Sequence, residues 1–301
     1  MTIASSPSAL GRRARHRSAA RRVRPGAVVV TGASTGIGRA TAEHLAALGY
    51  RVIAGIRDPR AADELSRVSP MIEPFLLDIR DDDAIAELVE FVERTEPGGL
   101  TALVNNAGIG AVGPTETLEL EAWRSVFEVN VIGTVAVTRA LLPSLLACGG
   151  RVVTIGSAAG RIGFPLFGPY VASKFALEGV NDVLRREVEA HGVKVICVEP
   201  GVVRSAIYDR GLAESYERTA RLDDAQVTRY GALLASAHAA AEETRVSGRP
   251  AAAVAPTIAR AIRARRPRTR YVSGWDARTA VVCSRILPDR VCDAVIRRLT
   301  R

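Results

Sequence analysis

Short runs of β-branched residues alternate with amphipathic segments along the chain from Gly26 onward. This alternation is typical of β-α-β units arranged around a parallel sheet. The predicted strands are 27–31, 51–56, 73–77, 101–104, 151–156, 193–198 and 270–273. The predicted helices are 37–48, 83–94, 121–146, 168–190 and 254–265, with an N-cap for the second among Asp81 to Asp83. The pattern therefore predicts an α/β fold, a doubly wound, seven-stranded parallel sheet with helices on both faces.

The connections between parallel strands determine where a ligand can bind. Right-handed crossovers place the carboxyl end of every strand at the same edge of the sheet, and ligands gather there. Residues 202–250 lie between the sixth strand and the last helix and are longer than an ordinary connection. We expect this segment to form a helical lid or a substrate loop over that edge.

Three segments of different character divide the 301 residues. Residues 1–25 are rich in Arg, Ser and Ala without an apolar period, which predicts a disordered basic extension or a start codon assigned too far upstream. Residues 26–275 carry the alternating pattern and are expected to form one catalytic domain. Residues 276–301 predict a basic amphipathic helix interrupted at Pro288, packed over the substrate entrance or at a subunit contact.

The formal net charge of +9 is concentrated at the two ends of the chain. Residues 1–24 hold seven arginines and no acid, and residues 260–301 hold twelve arginines against three aspartates, so residues 25–259 carry a charge of −7. A nucleic-acid-binding face needs basic residues interleaved through a folded element. We therefore expect no nucleic-acid partner, and we expect the Arg-rich ends to be solvated or attracted to anionic lipid.

Signals for a membrane span, a secreted protein or a metal site are weak. No apolar stretch approaches the roughly 20 residues of a spanning helix, and the N-terminus lacks the apolar segment of a secretory signal. The cysteines have no CxxC spacing, which argues against a zinc site and a disulfide framework. They are Cys148, Cys197, Cys283 and Cys292. We expect a cytoplasmic protein with reduced cysteines and no metal, and peripheral membrane contact is the second alternative.

The turn after the first predicted strand is rich in glycine. It reads Thr31-Gly32-Ala33-Ser34-Thr35-Gly36-Ile37-Gly38 and opens the first helix. Glycine lets the backbone turn tightly and approach a pyrophosphate, whose charge meets the unpaired N–H groups at the helix start. The spacing is GxxxGxG rather than the GxGxxG of the general dinucleotide fingerprint. Its position after the first strand predicts a Rossmann-like dinucleotide site.

The end of the second strand indicates which dinucleotide is bound. An NAD site would place an acid there to accept hydrogen bonds from the ribose hydroxyls. This strand instead runs from Ile56 into Arg57, whose guanidinium suits a 2′-phosphate. NADP(H) is thus favoured over NAD(H), unless Arg57 merely pairs with Asp58. Asp78, which closes the third strand, could accept from the adenine amino group or cap the turn.

A phenol and an ammonium group lie four residues apart, at Tyr170 and Lys174, and hence on one face of a predicted helix. Tyrosine has a pKa of about 10, too high for a base near neutrality. A positive charge about 5 Å away, at an effective dielectric near 20, favours the phenolate by roughly 3 kcal/mol, or about two pKa units. The pair therefore predicts a tyrosine that shuttles a proton.

Further motifs occur in a fixed order around this pair. Asn105-Asn106-Ala107-Gly108 follows the fourth strand, Asn130 lies in the helix after it, and Ser157 ends the fifth strand. With the glycine turn and Tyr-x-x-x-Lys, these segments resemble the short-chain dehydrogenase/reductase family over about residues 27–273. Taken singly, Asn130 could hydrogen-bond a neighbouring carbonyl and Ser157 could cap a turn.

The resemblance implies a role for each of the four catalytic residues. Tyr170 would be the acid in reduction and the base in oxidation, Lys174 would lower its pKa and bind the nicotinamide ribose, and Ser157 would orient the carbonyl. Asn130 would hold a water that links Lys174 to solvent. The implied cofactor-binding residues are Gly32, Ser34, Thr35, Gly36, Ile37, Gly38, Arg57, Asp78, Ile79, Asn106, Ala107, Gly108, Tyr170, Lys174, Pro200, Gly201, Val203 and Ser205. The family often has Thr where Ser205 stands, a difference that retains the hydroxyl.

The segment 160–167 lies between Ser157 and Tyr170, and its apolar character predicts either a lipophilic ligand or ordinary packing. The string 170–179, the turn 198–201 and the strand 266–271 resemble the branch of 17β-hydroxysteroid and retinol dehydrogenases. The resemblance implies a homodimer or homotetramer formed through helices 121–146 and 168–190. The resulting hypothesis is an NADP(H)-dependent oxidoreductase that interconverts an alcohol and a carbonyl on a steroid-, retinoid- or lipid-like substrate. A non-catalytic NADP(H)-sensing protein and an NAD-dependent alcohol dehydrogenase are the alternatives.

Overall fold

The computed structural model describes residues 25–204 and 206–299. Its seven strands are all parallel and lie in the order β3-β2-β1-β4-β5-β6-β7. They are β1 Ala27–Val30, β2 Arg51–Ile56, β3 Ile72–Leu76, β4 Ala102–Asn105, β5 Arg151–Ile155, β6 Lys194–Pro200 and β7 Arg270–Ser273. The predicted fold class is confirmed, and the strand order reverses between β1 and β4.

Helices cover both faces of the sheet. The first seven are α1 Gly36–Ala47, α2 Arg60–Val68, α3 Asp82–Thr95, α4 Leu120–Phe127, α5 Thr134–Cys148, α6 Gly168–Val188 and α7 Ala206–Thr219. They are followed by α8 Asp224–Ser247, α9 Ala255–Arg263, α10 Trp275–Ile286 and α11 Asp289–Leu299. Alternate residues of β1 enter two different cores, with Val28 packed among residues of α1 and α9 and Val29 among residues of α3 and α5. This two-residue period is what a sheet buried on both faces requires.

One predicted helix has a different internal structure, and another helix was not predicted. The segment predicted as one helix over 121–146 contains a π-helix at Glu128–Gly133 between α4 and α5. The hydrophobic period of 3.6 residues does not reveal a π-helix. The π-helix adds one residue to a turn, and the apolar stripe of the α-helix on either side of it is unchanged. Helix α2 was missed because its only buried residue is Leu65, which leaves no apolar stripe to recognise.

The connection between β6 and α9 is largely helical. Helices α7 and α8 occupy most of residues 202–250, and Asp223 begins α8 with a capping box to Gln226. The C-terminal segment folds into α10 and α11, which are separated at Leu287 and Pro288. Residues 1–24, for which a disordered extension was predicted, and Ser205 lie outside the described residues.

The helical stretch Leu120–Cys148 bears on the membrane question. It is 29 residues long, and an 18-residue window within it has a mean hydropathy of 1.8, so by length and composition alone it could cross a membrane. The expectation that no apolar stretch approaches the length of a membrane span is therefore wrong. The mean hydropathy of the stretch stays high although charged and polar residues interrupt it. Val137, Leu141 and Leu145 are fully buried against the sheet, as in a core helix.

Candidate active site

The glycine turn lies where the strand order reverses, at the carboxyl ends of β1 and β4. Gly32 and Gly36 have φ angles of 64° and 59°, in the left-handed region that favours glycine. A Cβ atom on Gly32 would also lie 2.8 Å from the Cα of Ala107. Glycine is therefore required at position 32, because any side chain there would collide with the segment that follows β4.

Two polar side chains tie the glycine turn to the segment after β4. The amide Nδ2 of Asn106 donates to the carbonyl oxygens of Thr31 and Gly32, both at 3.0 Å. The Thr31 hydroxyl accepts from the backbone N–H groups of Asn106 and Ala107, also at 3.0 Å. Sequence reasoning gave Thr31 no role, although a hydroxyl residue at the end of β1 was the available signal. These bonds satisfy the buried polar groups of the turn and fix its shape.

The start of α1 suits an anionic group. No acidic residue lies in its first turn, and its N-cap Thr35 makes no side-chain capping bond. The first backbone N–H groups of a helix have no partner within it and carry a partial positive charge. A Cβ atom on Gly38 would collide with the carbonyl oxygen of Gly32, so the helix start is pressed closely onto the turn. The residues present therefore fit the pyrophosphate of a dinucleotide.

Arg57 is exposed at the end of β2, the position predicted for a 2′-phosphate. The alternative that it pairs with Asp58 is wrong, because Asp58 bonds to the guanidinium of Arg60 at 2.8 Å. Among the residues that the structure describes, none forms a salt bridge with Arg57. Asp78 bonds to the side chain and the backbone N–H of Arg80, which lowers the pKa of its carboxyl. Asp78 thus caps its own turn, and a contact with adenine stays a prediction.

Tyr170 and Lys174 face each other on the first turns of α6. The Lys174 Nζ atom lies 5.5 Å from the centre of the Tyr170 ring. The same Nζ donates to the carbonyl oxygen of Ile155 at 2.8 Å, at the end of β5. Lys174 is buried, and Tyr170 is mostly buried. The structure thus brings the phenol, the ammonium group and the end of β5 together, as the spacing predicted.

Burial changes the expected pKa values of this pair. It raises the pKa of Tyr170, and hydrogen bonding with Ser157 acts in the opposite direction. Burial also lowers the pKa of Lys174 to about 8, against a smaller opposing effect of Cys197. Burial of the phenol thus acts against the lowering that the spacing predicted, and a lowered Tyr170 pKa beside a bound nicotinamide stays a prediction. The sequence argument counted the charge of Lys174 but could not count the loss of water around the phenol.

Asn130 lies in the π-helix and is fully buried. Its Oδ1 accepts from the N–H of Ile109 at 2.8 Å, and its Nδ2 donates to the Ile109 carbonyl and the Ser173 hydroxyl, both at 2.9 Å. Ser173 in turn donates to the Tyr170 carbonyl at 2.7 Å. The carbonyl that Asn130 binds is 21 residues away in the chain and not that of a helix neighbour, so the neighbouring-carbonyl alternative does not describe this contact. The water link to Lys174 stays a prediction. Ser173 was missed, although its place three residues after Tyr170 was a signal.

Ser157 lies between β5 and a short 3₁₀ helix at Ala158–Gly160. Its Oγ accepts from the backbone N–H of Ala159 at 3.1 Å, so the turn-capping alternative is also confirmed. The cap leaves the hydroxyl proton available for a further bond, and the interaction with Tyr170 shows that the group lies beside the phenol. Capping and substrate contact are therefore compatible for this residue.

The remaining predicted cofactor residues fall into three situations. Ile79 is buried against Gly133 of the π-helix, and Val203 is buried in a short parallel bridge with Arg249. The Pro200–Gly201 turn follows β6, where the N–H of Val202 donates to Asp276 Oδ2 at 2.7 Å. Ser205 lies outside the described residues. Asp276, on the first turn of α10, was not predicted to reach this turn.

The loop 160–167 contains a backbone conformation that its side chain does not favour. Leu166 has a φ angle of 70° and is buried, and its carbonyl accepts from the N–H of Gly113 at 2.9 Å. A leucine in the left-handed region costs of the order of 1 kcal/mol or more. Glu116, on the loop after Gly113, accepts from Tyr230 of α8 at 2.7 Å. These contacts join the loop 160–167, the loop after β4 and the helical connection to one another.

Comparison with known proteins gives similarities over most of the chain. A model of the family described as short chain dehydrogenase matches residues 26–215. Retinol dehydrogenase 5 of Homo sapiens is 37% identical over 280 residues, which cover 89% of this chain and 87% of that protein. The 17-beta-hydroxysteroid dehydrogenase type 6 of Bos taurus is 34% identical over 279 residues, or 90% of this chain and 87% of that protein. The predicted resemblance to this family and branch is confirmed.

Two bacterial proteins carry a cofactor in their names. An NADPH-dependent 3-dehydrocapnine reductase of Ornithobacterium rhinotracheale is 34% identical over 284 residues, which cover 91% of this chain and 98% of that protein. A short chain dehydrogenase from Burkholderia cenocepacia J2315, solved in complex with NADP, is 25% identical with a TM-score of 0.68, over 92% of this chain and 98% of that one. Each of these two proteins is thus described with NADP or NADPH as its cofactor.

Proposed function

The chain belongs to the short-chain dehydrogenase family, and from this premise we propose that it is an NADP(H)-dependent oxidoreductase that interconverts an alcohol and a carbonyl on a lipophilic substrate. The observation that carries the proposal is the position of Tyr170 and Lys174, 5.5 Å apart from ring to ammonium, beside Ser157. The glycine turn at Gly32 and Gly36 and the start of α1 would hold a dinucleotide whose nicotinamide would supply or accept the hydride.

The residues of this chain then handle the proton and the substrate oxygen. Because burial raises the pKa of Tyr170, its phenol stays protonated near neutral pH, which is the state that gives a proton to a carbonyl in reduction. Ser157 donates to the same oxygen and stabilises the charge that develops on it. Lys174, whose pKa is about 8, carries its charge in most molecules at pH 7 and eases proton loss in the oxidative direction.

Arg57 supports the choice of NADP(H). Its exposed guanidinium lies where the end of β2 meets the glycine turn, and although its charge helps to lower the pKa of Asp78, it has no salt-bridge partner in the described part of the chain. An arginine without such a partner is available for bidentate bonds to a phosphate. The names of the Ornithobacterium and Burkholderia proteins support the same choice.

Apolar side chains beside the catalytic residues and the names of two relatives support a steroid-, retinoid- or lipid-like substrate. The loop 160–167 contributes Phe164, Leu166 and Phe167, and Gly211 of α7 approaches Val112 in the loop after β4. Pockets for small ligands are mostly apolar with a few polar groups that orient the ligand. The printed names of the human and bovine relatives refer to retinol and to hydroxysteroid.

A substrate panel tests the proposal. Retinoid and steroid ketones or aldehydes, together with short polar carbonyls, are incubated with NADPH and with NADH in parallel, and cofactor absorbance is followed at 340 nm. We expect NADPH oxidation with lipophilic carbonyls at a kcat/KM at least about tenfold above that with the polar ones. Burial of a few methylene groups of the substrate contributes about that much. If the protein binds NADPH but reduces none of these carbonyls, the proposal that it is an enzyme is refuted.

We also propose a homodimer or homotetramer formed by the helices Leu120–Cys148 and α6. Ile132 and Val135 on the first are 54% and 38% exposed, and Phe175 and Val183 on α6 are 46% and 54% exposed. Large apolar residues on adjacent helices form a patch that association removes from water. A two-fold contact would bring each patch against its own copy.

Val183→Arg tests the assembly. A guanidinium placed in an apolar interface loses water without gaining a partner, so we expect the variant to sediment as a monomer at concentrations where the wild type is a dimer or tetramer. Val68→Arg is the matched control, because Val68 is 48% exposed on α2, away from the patch. A monomeric wild type, or a Val183→Arg variant that stays assembled, would contradict the proposed interface.

The C-terminal helices bear on peripheral membrane contact. Trp275 and Ile286 of α10 are 81% and 73% exposed, and arginines lie among the exposed residues of α10 and α11. Exposed apolar residues with basic neighbours are typical of segments that lie at an anionic lipid surface. Peripheral contact of this segment stays a prediction, and binding to anionic liposomes would measure it.

A further inference from the structure

A largely buried group of ionisable side chains lies behind the catalytic helix, and the steps above assign it no contact with the substrate or the cofactor. Its members come from α6, from the loop after Ser157, from β6 and from β7. They are Arg161, Glu178, Asp182, Cys197, Glu199 and Arg270, here called the ionic cluster. The side chains of Glu178 and Glu199 are only 8% and 1% exposed. Carboxylates at this depth are stable as ions only with close partners.

The donor set of the ionic cluster argues for ion pairs rather than a metal. Glu178, Cys197 and Glu199 each bring a ligand atom within 4.8 Å of the others. Two guanidinium groups already occupy the carboxylates, however. Arg270 contacts Glu178 at 2.9 Å, and Arg161 contacts Glu178 and Glu199 at 3.0 Å each. A cation bound among these ligands would have to displace both arginines.

Arg161 is the member of the ionic cluster that connects the active-site segments. It follows directly on the 3₁₀ turn that Ser157 caps, and its N–H bonds to the carbonyl of Ala158. Its guanidinium reaches Glu178, one helical turn after Lys174. It also reaches Glu199, which directly precedes the Pro200–Gly201 turn. One side chain therefore joins the segments that carry the hydroxyl, the lysine and the turn after β6.

Glu199 depends strongly on this contact. Its Oε2 atom is buried and has no partner among the described residues, so Oε1 makes all of its polar contacts there. Burial and the charge of Glu178 raise the pKa of Glu199, and Arg161 acts against both. Without Arg161, two carboxylates would face each other with only Arg270 between them. The loop after Ser157 would then lose its ion pairs with α6 and β6 and keep only its packing contacts with them.

We propose that Arg161 is a positioning residue that holds the Ser157 turn and the loop 160–167 in register with Tyr170, through its contacts with Glu178 and Glu199. The inference rests on the proposed function, because it concerns how that site is assembled. A displacement of about 1 Å between a hydroxyl and a reacting oxygen can cost about a hundredfold in rate. The planar, forked guanidinium suits this role because it can contact two carboxylates at once.

Arg270 separates positioning from simple charge balance. It contacts Glu178 at 2.9 Å, Asp182 at 3.0 Å and Glu199 at 3.6 Å, but it lies on β7 and is not part of the loop 160–167. Its loss would leave the ionic cluster one positive charge short, as the loss of Arg161 would. A difference between the two variants therefore reports on the loop and not on charge.

The test compares Arg161→Met, Arg161→Lys and Arg270→Met by steady-state kinetics, NADPH binding and amide hydrogen exchange. Arg51→Met is the remote control, because Arg51 also bridges two carboxylates, Glu73 and Glu96, at the opposite edge of the sheet. We expect Arg161→Met to lower kcat about a hundredfold and to speed exchange in 157–168, with an unchanged Kd for NADPH. Arg161→Lys should recover about tenfold, since lysine restores one contact but not the fork. Arg270→Met and Arg51→Met should stay within about threefold of the wild type in kcat, with unchanged exchange in 157–168.

Equal kinetic losses in Arg161→Met and Arg270→Met, or unchanged exchange in 157–168, would overturn the proposal. If Arg161→Met does not fold, Arg161→Lys decides, because unchanged kcat and exchange in that variant would also overturn it. If the wild type turns over no carbonyl, the proposed function fails by itself. The exchange comparison then still decides whether Arg161 holds the loop.

Discussion

Tyr170→Phe is expected to lower kcat for a lipophilic ketone with NADPH by about 10³-fold, because general acid catalysis contributes about 10²–10⁴-fold to such reactions. Phenylalanine keeps the ring, and with it the packing beside Lys174, but has no proton to give. The Kd for NADPH should change less than about threefold, since only one contact to the ribose side of the cofactor is lost. Single-turnover rates and fluorescence titration with NADPH measure the two quantities.

Tyr50→Phe is the matched control for this prediction. Tyr50 is a buried phenol whose pKa is raised by burial, and it lies at the start of β2, at the sheet edge opposite the glycine turn. Its variant should retain wild-type kcat. A Tyr170→Phe enzyme with more than about a tenth of the wild-type kcat would show that another group supplies the proton, and the proposed mechanism would be wrong.

Arg57→Asp is expected to reverse the cofactor preference by about 10³-fold in the ratio of kcat/KM with NADPH to kcat/KM with NADH. A charge-assisted bond to the 2′-phosphate contributes about 1.5–3 kcal/mol, and each 1.4 kcal/mol is a factor of ten. An aspartate at this exposed position removes that bond, repels the phosphate and can accept from a ribose hydroxyl. Initial rates with both cofactors at several concentrations determine the ratio.

Two controls accompany the cofactor prediction. Arg67→Ala removes another exposed arginine, on α2, and should leave the ratio unchanged. Added salt should weaken NADPH binding to the wild type more than to Arg57→Asp, because screening acts on an exposed ion pair. A ratio for Arg57→Asp within about threefold of the wild type would show that Arg57 does not select the phosphate.

The fold and the order of the site motifs were predictable because they depend on short-range patterns. The β-branched runs predicted the strands to within a few residues, and the glycine turn predicted the start of α1. The steric limits at Gly32 and Gly36 act between residues that are close in the sequence. The spacing of these glycines is therefore enough to predict the turn. The four-residue spacing of Tyr170 and Lys174 likewise specified a shared helix face.

Contacts between distant segments were not predictable from these patterns. The hydrogen bonds of the Asn130 amide with Ile109 and Ser173 could not be predicted from the sequence. They depend on how α4, the π-helix and α6 pack against one another. The link from Arg161 to Glu199 spans 38 residues and exists only once β6 lies beside β5. An ion pair of this kind has no periodicity and no local spacing to reveal it.

The sequence by itself determined the fold class, the position of the glycine turn and the residue types that meet around Tyr170. The tertiary structure alone decided that Asp58 turns to Arg60, that burial raises the pKa of Tyr170, and that the ionic cluster joins the active-site segments. The physical reason is that steric and helical constraints act over a few residues. Desolvation and ion pairing depend on which segments exclude water together, and that is settled only when the whole chain has packed.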